Sequence, residues 1–198
     1  MKFIISILLL ILSLQSWTKA DVINELEIEG ISIGDSLLDY MDEDNIKKAH
    51  KTYYPNPKNF EGFYLNHINS EIYDRIGVDY ENTSNLYKIH SIQGFFFYNK
   101  EIDKCLKQKK EIVSDLSEIL KNSAKISNYN KKFAGDETGK SKSYVTDFDL
   151  DDGSGARVMC IDMSEEKNLA KQNDYLQVVI NSTEYNYYLA YEAYNTAQ

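Results

Sequence analysis

Ser36 and three histidines are the side chains of this sequence that most easily suggest a hydrolytic centre. A serine hydroxyl becomes a nucleophile when a general base lies within hydrogen-bond reach, and histidine is the usual base. The histidines are His50, His67 and His90, and none of them follows an aspartate by three residues. His67 and His90 also lack a third ligand at a spacing typical of metal sites. We therefore expect His67 and His90 to be ordinary surface or half-buried histidines, and Ser36 to be a helix N-cap.

The segment Gly34-Asp35-Ser36-Leu37 resembles the nucleophile block of GDSL (SGNH) ester hydrolases. In that family a serine at the end of the first strand attacks an acyl carbon, and a neighbouring N–H assists the oxyanion. The family takes its base from an Asp-x-x-His block near the C-terminus, and no histidine follows His90 here. Ester hydrolysis by Ser36 is therefore the alternative function and not the favoured one.

Residues 147–153, Asp-Phe-Asp-Leu-Asp-Asp-Gly, are similar to a calcium-binding loop, because hard cations prefer carboxylates that alternate around a tight turn. The spacing departs from an EF-hand in two places. Asp152 stands where the loop needs glycine, and Val158 stands where it needs a bidentate glutamate. We expect an acidic strand face and its turn. Weak calcium binding by Asp147 and Asp149 is the alternative, and no residue is assigned as a metal ligand.

Cys105 and Cys160 are the only cysteines of the chain. Each falls on the apolar side of a predicted element, the first on a helix and the second on a strand. Two cysteines in an exported chain favour a disulfide, which would join the helix to the sheet. Such a bond closes a loop of more than 50 residues and would stabilise the fold by roughly 4 kcal/mol. The alternative is two separate buried thiols.

Aromatic residues are concentrated at Phe95-Phe96-Phe97-Tyr98 and near the C-terminus, in a chain with 16 Tyr and 8 Phe. Such residues usually form the core or the buried side of an amphipathic element. The alternative is a platform on which sugar rings stack. No residue is assigned to catalysis or to a cofactor.

Residues 1–20 predict a secretory signal peptide: Lys2 precedes a short apolar run, and small residues end the segment. The apolar run is shorter than the ~20 residues that a membrane span needs. We therefore expect no membrane span after signal removal, and we expect the protein to be periplasmic or secreted.

The net charge is −9, and the leader contributes two lysines and no acidic residue. A more negative mature chain repels phosphate backbones, which excludes nucleic acid as the partner.

Hydrophobic periodicity and turn residues predict the elements that would position these side chains. The first half contains a strand over residues 26–33, a broken helix capped by Ser36 and Asp42, three antiparallel strands near 60–66, 71–79 and 86–98, and an amphipathic helix over 100–121. Residues 122–142 show no sustained period and predict an unstructured, mobile loop. A hairpin over 143–150 and 157–163, a strand over 175–180 and a helix capped by Ser182 or Thr183 complete the chain.

The block of residues 28–41, together with residues 160–164 and 176–180, resembles a group of exported periplasmic proteins of AT-rich marine bacteria. This resemblance implies export and a shared fold, and it implies no particular activity. The strand, the Gly-x-Ser turn and the broken helix are also similar to periplasmic β-lactamase-inhibitor-like domains and outer-membrane assembly lipoprotein domains. Those are interaction modules, so the second resemblance implies protein binding.

Together these features predict a single α+β domain over residues 21–198. We expect an antiparallel sheet packed against a long amphipathic helix, with two related strand-helix-strand units suggested by the element order. The predicted function is a non-enzymatic exported binding module that needs no cofactor. Its partner would be a periplasmic or envelope protein or a small ligand. The predicted contact surface is the loop at 122–142 with the exposed tyrosines.

Overall fold

The computed structural model describes residues 22–52, 54–56, 59–65, 70, 72–165 and 173–194. The predicted signal peptide and His67 lie outside these residues. Among the helices of the described part, none is long and apolar enough to cross a membrane.

The structure contains nine strands and three α-helices in its described part, and it is an α+β fold. Seven strands form one antiparallel sheet in the order β3-β4-β5-β9-β8-β7-β6, and β1 pairs with β2. The strands are β1 (Glu27–Ile28), β2 (Ile31–Ser32), β3 (Phe60–Tyr64), β4 (Arg75–Glu81), β5 (Ile89–Tyr98), β6 (Ala124–Lys132), β7 (Lys142–Leu150), β8 (Gly155–Asp162) and β9 (Asp174–Asn181). The helices are α1 (Glu43–Lys48), α2 (Ile102–Ile119) and α3 (Thr183–Tyr191).

The sheet has two faces of different character, because successive side chains of a strand point to opposite sides. We call one the helix face; it carries Cys160, Leu176 and Val178, all buried. Cys105 of α2 forms a disulfide with Cys160 of this face, with 6.0 Å between the two Cα atoms. Partly buried residues of α2 pack against the same core: Ile102, Leu106, Ile112, Val113 and Leu116. We call the other the open face; it carries Asp79, Phe95 and Tyr175.

Most predicted strands are confirmed, with ends that differ by a few residues. The predicted helix at 100–121 is observed as the 18 residues of α2. The predicted caps are confirmed too. The side chains of Ser36, Asp42 and Ser182 accept hydrogen bonds from the first turns of a 3-10 helix (Leu37–Asp39), α1 and α3, respectively. These positions could be predicted because caps and periodicity are local properties.

The single strand predicted over residues 26–33 is wrong. The segment forms a small hairpin of β1 and β2, in which Glu27 pairs with Ser32 and Ile28 with Ile31. Glu29 and Gly30 make the turn, with φ of 53° and 73°. A two-residue turn in which both residues have positive φ matches the right-handed twist of the strands that it connects. Glycine adopts a positive φ without steric cost.

The prediction of no regular structure over 122–142 is wrong for Ala124–Lys132, which form the edge strand β6. Its nine residues pair in continuous register with β7. The sequence does not predict this strand, because both of its faces are largely exposed and polar and its residues therefore do not alternate between apolar and polar. Its lysines are typical of an edge strand that is protected from pairing with other chains. Residues 133–141 remain as the loop.

Candidate functional site

Within the described residues, α3 covers one end of the open face. Tyr185 and Tyr188 of α3 pack there with Phe60 in a small cluster of buried residues. Beyond α3 the face forms a groove of about 470 Å³, which we call the aromatic groove. The described residues that line it are Tyr64, Arg75, Phe95, Phe97, Phe133, Met163, Asn173 and Tyr175. Among the described residues, the large rings that line this groove are the feature that most suggests a ligand site.

Strand alternation and register place the rings of the groove. Phe95 and Phe97 both point to the open face of β5, and Tyr175 of β9 is the register partner of Phe97. The Phe95 and Tyr175 ring centroids lie 6.1 Å apart, and those of Tyr64 and Phe95 lie 5.8 Å apart. Tyr64 and Phe97 remain 39% and 38% exposed, so their faces are accessible to a ligand.

Phe133 enters the groove from the loop at 133–141 and meets the Tyr175 ring edge-on at 6.4 Å. Asp136 holds this loop in shape. One carboxylate oxygen accepts from the amide and hydroxyl of Thr138 at 2.9 and 2.8 Å. The other accepts from the amide and hydroxyl of Ser141 at 2.9 and 2.6 Å. These donors lower the pKa of Asp136 well below its usual range, since they favour the ionised form.

Arg75 is the one charged side chain among the described residues of the groove. Its Cζ lies 4.8 Å from the ring centroid of Tyr64 and 5.1 Å from that of Phe97. Both contacts are in the range of cation–π interactions, which hold a guanidinium in place while its N–H edge stays available.

Asp79 is a buried carboxyl group at the α3 end of the open face, 2% exposed. Asp79 lines a second cavity of about 240 Å³. Tyr64 lines both this cavity and the aromatic groove. Gln93 Nε2 donates to Asp79 Oδ2 at 2.8 Å, and the Tyr54 hydroxyl donates to Oδ1 at 3.3 Å. Burial raises the pKa of Asp79 to about 6, although these donors oppose the shift.

Ser36 lies outside the groove and is engaged as a cap. Its hydroxyl donates to the carbonyl of Leu86 at 2.6 Å and accepts from the amide of Leu38 at 3.2 Å. The neighbouring Asp35 accepts from the amide of Ser32 at 2.8 Å. The Ser36 hydroxyl thus donates its hydrogen bond to a backbone carbonyl rather than to a base.

Asp147 and Asp152, two of the aspartates of residues 147–153, have protein partners in the structure. Asp147 forms an ion pair with Arg157 and accepts from the Tyr129 hydroxyl at 2.8 Å. Asp152 accepts from the amide of Ser154 in the turn, at 2.9 Å. Within the described residues, no group of three or more His, Cys, Asp or Glu side chains is arranged to hold a metal ion.

His90 is buried at the N-terminus of α3. Its Nδ1 lies 2.8 Å from the Ser182 hydroxyl, and its ring meets Phe60 edge-on at 5.2 Å. Burial and the nearby Lys88 lower the pKa of His90, which favours the neutral ring. The structure therefore uses this histidine in packing, and it is more deeply buried than the sequence analysis expects.

The tyrosines near the C-terminus divide into a buried and an exposed group. Tyr185 and Tyr188 are buried, whereas Tyr187, Tyr191 and Tyr194 are more than half exposed. Of the exposed three, Tyr194 lines the cavity that contains Asp79. Tyr187 and Tyr191 lie outside the aromatic groove.

The sequence analysis identified only part of this site. It considered Phe95 to Tyr98 as a possible platform, and the structure brings two of these four residues, Phe95 and Phe97, to the groove. It missed Tyr64, Arg75 and Asp79, which carry no local motif. A usable signal existed for the loop, because Asp136 followed by Thr138 and Gly139 is typical of a turn closed by an aspartate side chain.

Comparison with known proteins finds no matching family model, no similar curated protein and no similar solved structure.

Proposed function

We propose that this protein is a non-enzymatic binding module and that the aromatic groove receives a small ring-bearing ligand. The observation that carries the proposal is the set of five rings that line the groove, of which Tyr64 and Phe97 are the most exposed: Tyr64, Phe95, Phe97, Phe133 and Tyr175. Ring faces bind flat apolar surfaces, including aromatic rings and the C–H faces of sugars. A concave apolar site with few polar groups is the usual form of a small-ligand site.

Two features support binding rather than hydrolysis. The hydroxyl of Ser36 donates to a backbone carbonyl, so it has no arrangement typical of an activated nucleophile. Asp79, the buried carboxyl group near the groove, is occupied by a glutamine amide and a tyrosine hydroxyl. Such partners are typical of a structural polar cluster.

We further propose that the protein acts in the periplasm or is secreted, with a periplasmic or envelope partner as the source of the ligand. The disulfide between Cys105 and Cys160 supports this location, because such bonds persist in oxidising compartments. The loop at 133–141 belongs to the contact surface because it carries Phe133. In this proposal the amphipathic helix α2 covers the helix face and leaves the opposite face to the ligand.

The test is a titration of the purified protein with phenyl-β-D-glucoside, a neutral probe with one aromatic and one sugar ring, followed by ¹H–¹⁵N NMR. We expect shifts confined to the strands and loop of the aromatic groove. Phe97→Ala removes an exposed ring and should weaken binding about threefold to tenfold.

Tyr187→Ala is the matched control, because it removes a ring of greater exposure, 58%, that lies on α3 outside the groove. This variant should bind the probe as the parent protein does. Absence of binding, shifts outside the groove, or equal losses in the two variants would each overturn the proposal.

A further inference from the structure

We infer that the aromatic groove selects ligands that carry a carboxylate, which Arg75 receives. The inference rests on the proposed function, since it names the chemical class of ligand for the same groove.

The position of Arg75 is the first reason. The guanidinium contacts the rings of Tyr64 and Phe97 at 4.8 and 5.1 Å, so two aromatic faces orient it on the groove wall. An arginine side chain that is already oriented loses less conformational entropy when it forms hydrogen bonds. Its planar pair of N–H donors also matches the two oxygens of a carboxylate.

The second reason is that Arg75 has no anionic partner in the described part of the chain. None of the ion pairs found there involves it. The adjacent carboxylate, Asp74, instead accepts a hydrogen bond from the backbone amide of Phe97 at 2.7 Å.

The balance of charge favours one carboxylate over a phosphate. Arg75 is the single charged side chain among the described residues of the groove, and the other lining residues are neutral. One cation compensates one negative charge, whereas sites for dianionic phosphates generally add a second cation or a cluster of backbone amides. The ring would lie on the aromatic residues while its carboxylate meets the guanidinium.

The decisive comparison uses phenyl-β-D-glucuronide and phenyl-β-D-glucoside, which differ in a carboxylate replacing a hydroxymethyl group. We expect the glucuronide to bind the parent protein about tenfold more tightly, because hydrogen bonds to a charged group are stronger than neutral ones. Arg75→Gln should abolish the preference, so that the variant binds the glucuronide and the glucoside with similar affinities. Arg75→Lys, which keeps the charge without the fork, should retain part of the preference.

Lys131→Gln is the control for net charge, since Lys131 is an exposed cation of β6 that does not line the groove. It should keep the full preference. Methyl-β-D-glucuronide and phenylacetate then distinguish a sugar acid from an aromatic acid as the source of the carboxylate, and binding of either one through Arg75 supports the inference.

The inference and the proposed function fail in different ways. Equal affinities for glucuronide and glucoside, or a preference that survives in Arg75→Gln, overturn the carboxylate inference and leave the groove as a ring-binding site. Tighter binding of phenyl phosphate than of the glucuronide also overturns it. If neither glycoside binds, the proposed function falls together with the inference.

Discussion

At the scale of the residue, Asp79 is a carboxyl group whose surroundings differ strongly from water. It lies under Tyr54 and Tyr185, and its pKa rises to about 6 because burial disfavours the ionised form. Gly62 is the register partner of Asp79 on β3. Because Gly62 has no side chain, there is room for the Asp79 carboxylate, which a Cβ at Gly62 would overlap. The fold thus accommodates a carboxyl group that is easier to bury neutral than charged.

Asp79 should make the protein more stable as the pH falls from 7 to 5. The folded state holds a proton on Asp79 up to about pH 6, whereas the unfolded chain holds it only to about 3.8. Between these values the folded state binds more protons, so lowering the pH from 7 to 5 favours folding by roughly 1 kcal/mol. Asp79→Asn resembles the neutral acid and should lack this effect.

The measurement is the melting temperature of the parent protein and of Asp79→Asn between pH 7 and pH 5. The parent should gain several degrees relative to the variant over this range. Asp115→Asn, at an exposed position of α2, controls for the loss of one acidic group and should follow the parent. A difference that stays constant with pH would contradict the burial argument.

At the scale of the element, the loop at 133–141 is positioned by one side chain and in turn positions Phe133. The four hydrogen bonds that Asp136 accepts from Thr138 and Ser141 close the loop from within. The Phe133 amide also donates to the carbonyl of Ser141 at 2.9 Å, which joins the two ends of the loop. The geometry of the groove at this wall therefore depends on Asp136.

Asp136→Ala should loosen this loop without unfolding the sheet. We expect faster hydrogen exchange at the amides of Thr138 and Ser141, because they lose their acceptor, and weaker binding of phenyl-β-D-glucoside, because Phe133 is no longer held. Glu137→Ala removes the same charge from the next, exposed residue and should change neither property. Unchanged exchange in Asp136→Ala would show that the strands alone hold the loop.

At the scale of the whole molecule, the two faces of the sheet have different surroundings. The helix face meets α2 and includes the disulfide, whereas the open face carries the aromatic groove. Stability and binding should therefore respond to different substitutions, since the strands that separate the two faces are rigid and packed.

Replacing both Cys105 and Cys160 with serine tests this separation. The disulfide links residues 55 apart in sequence, and the chain-entropy model assigns its removal a cost of roughly 4 kcal/mol. Urea unfolding should show a loss of this size, while probe affinity well below the melting temperature should stay the same. A matching loss of affinity would indicate that α2 and the groove are coupled through the sheet.

The sequence by itself determined the features that depend on near neighbours. Strand and helix periods, the caps at Ser36, Asp42 and Ser182, and the two sides of α3 follow from side chains within a few positions of one another. Only the tertiary structure decided the rest. β6 exists because β7 pairs with it, and Asp79 is buried because α3 and residues 54–56 cover it. Phe95 and Phe97 line a groove because no described helix covers their half of the open face. Alternation determines which residues share a face of a sheet, but which face is covered depends on contacts between residues far apart in sequence.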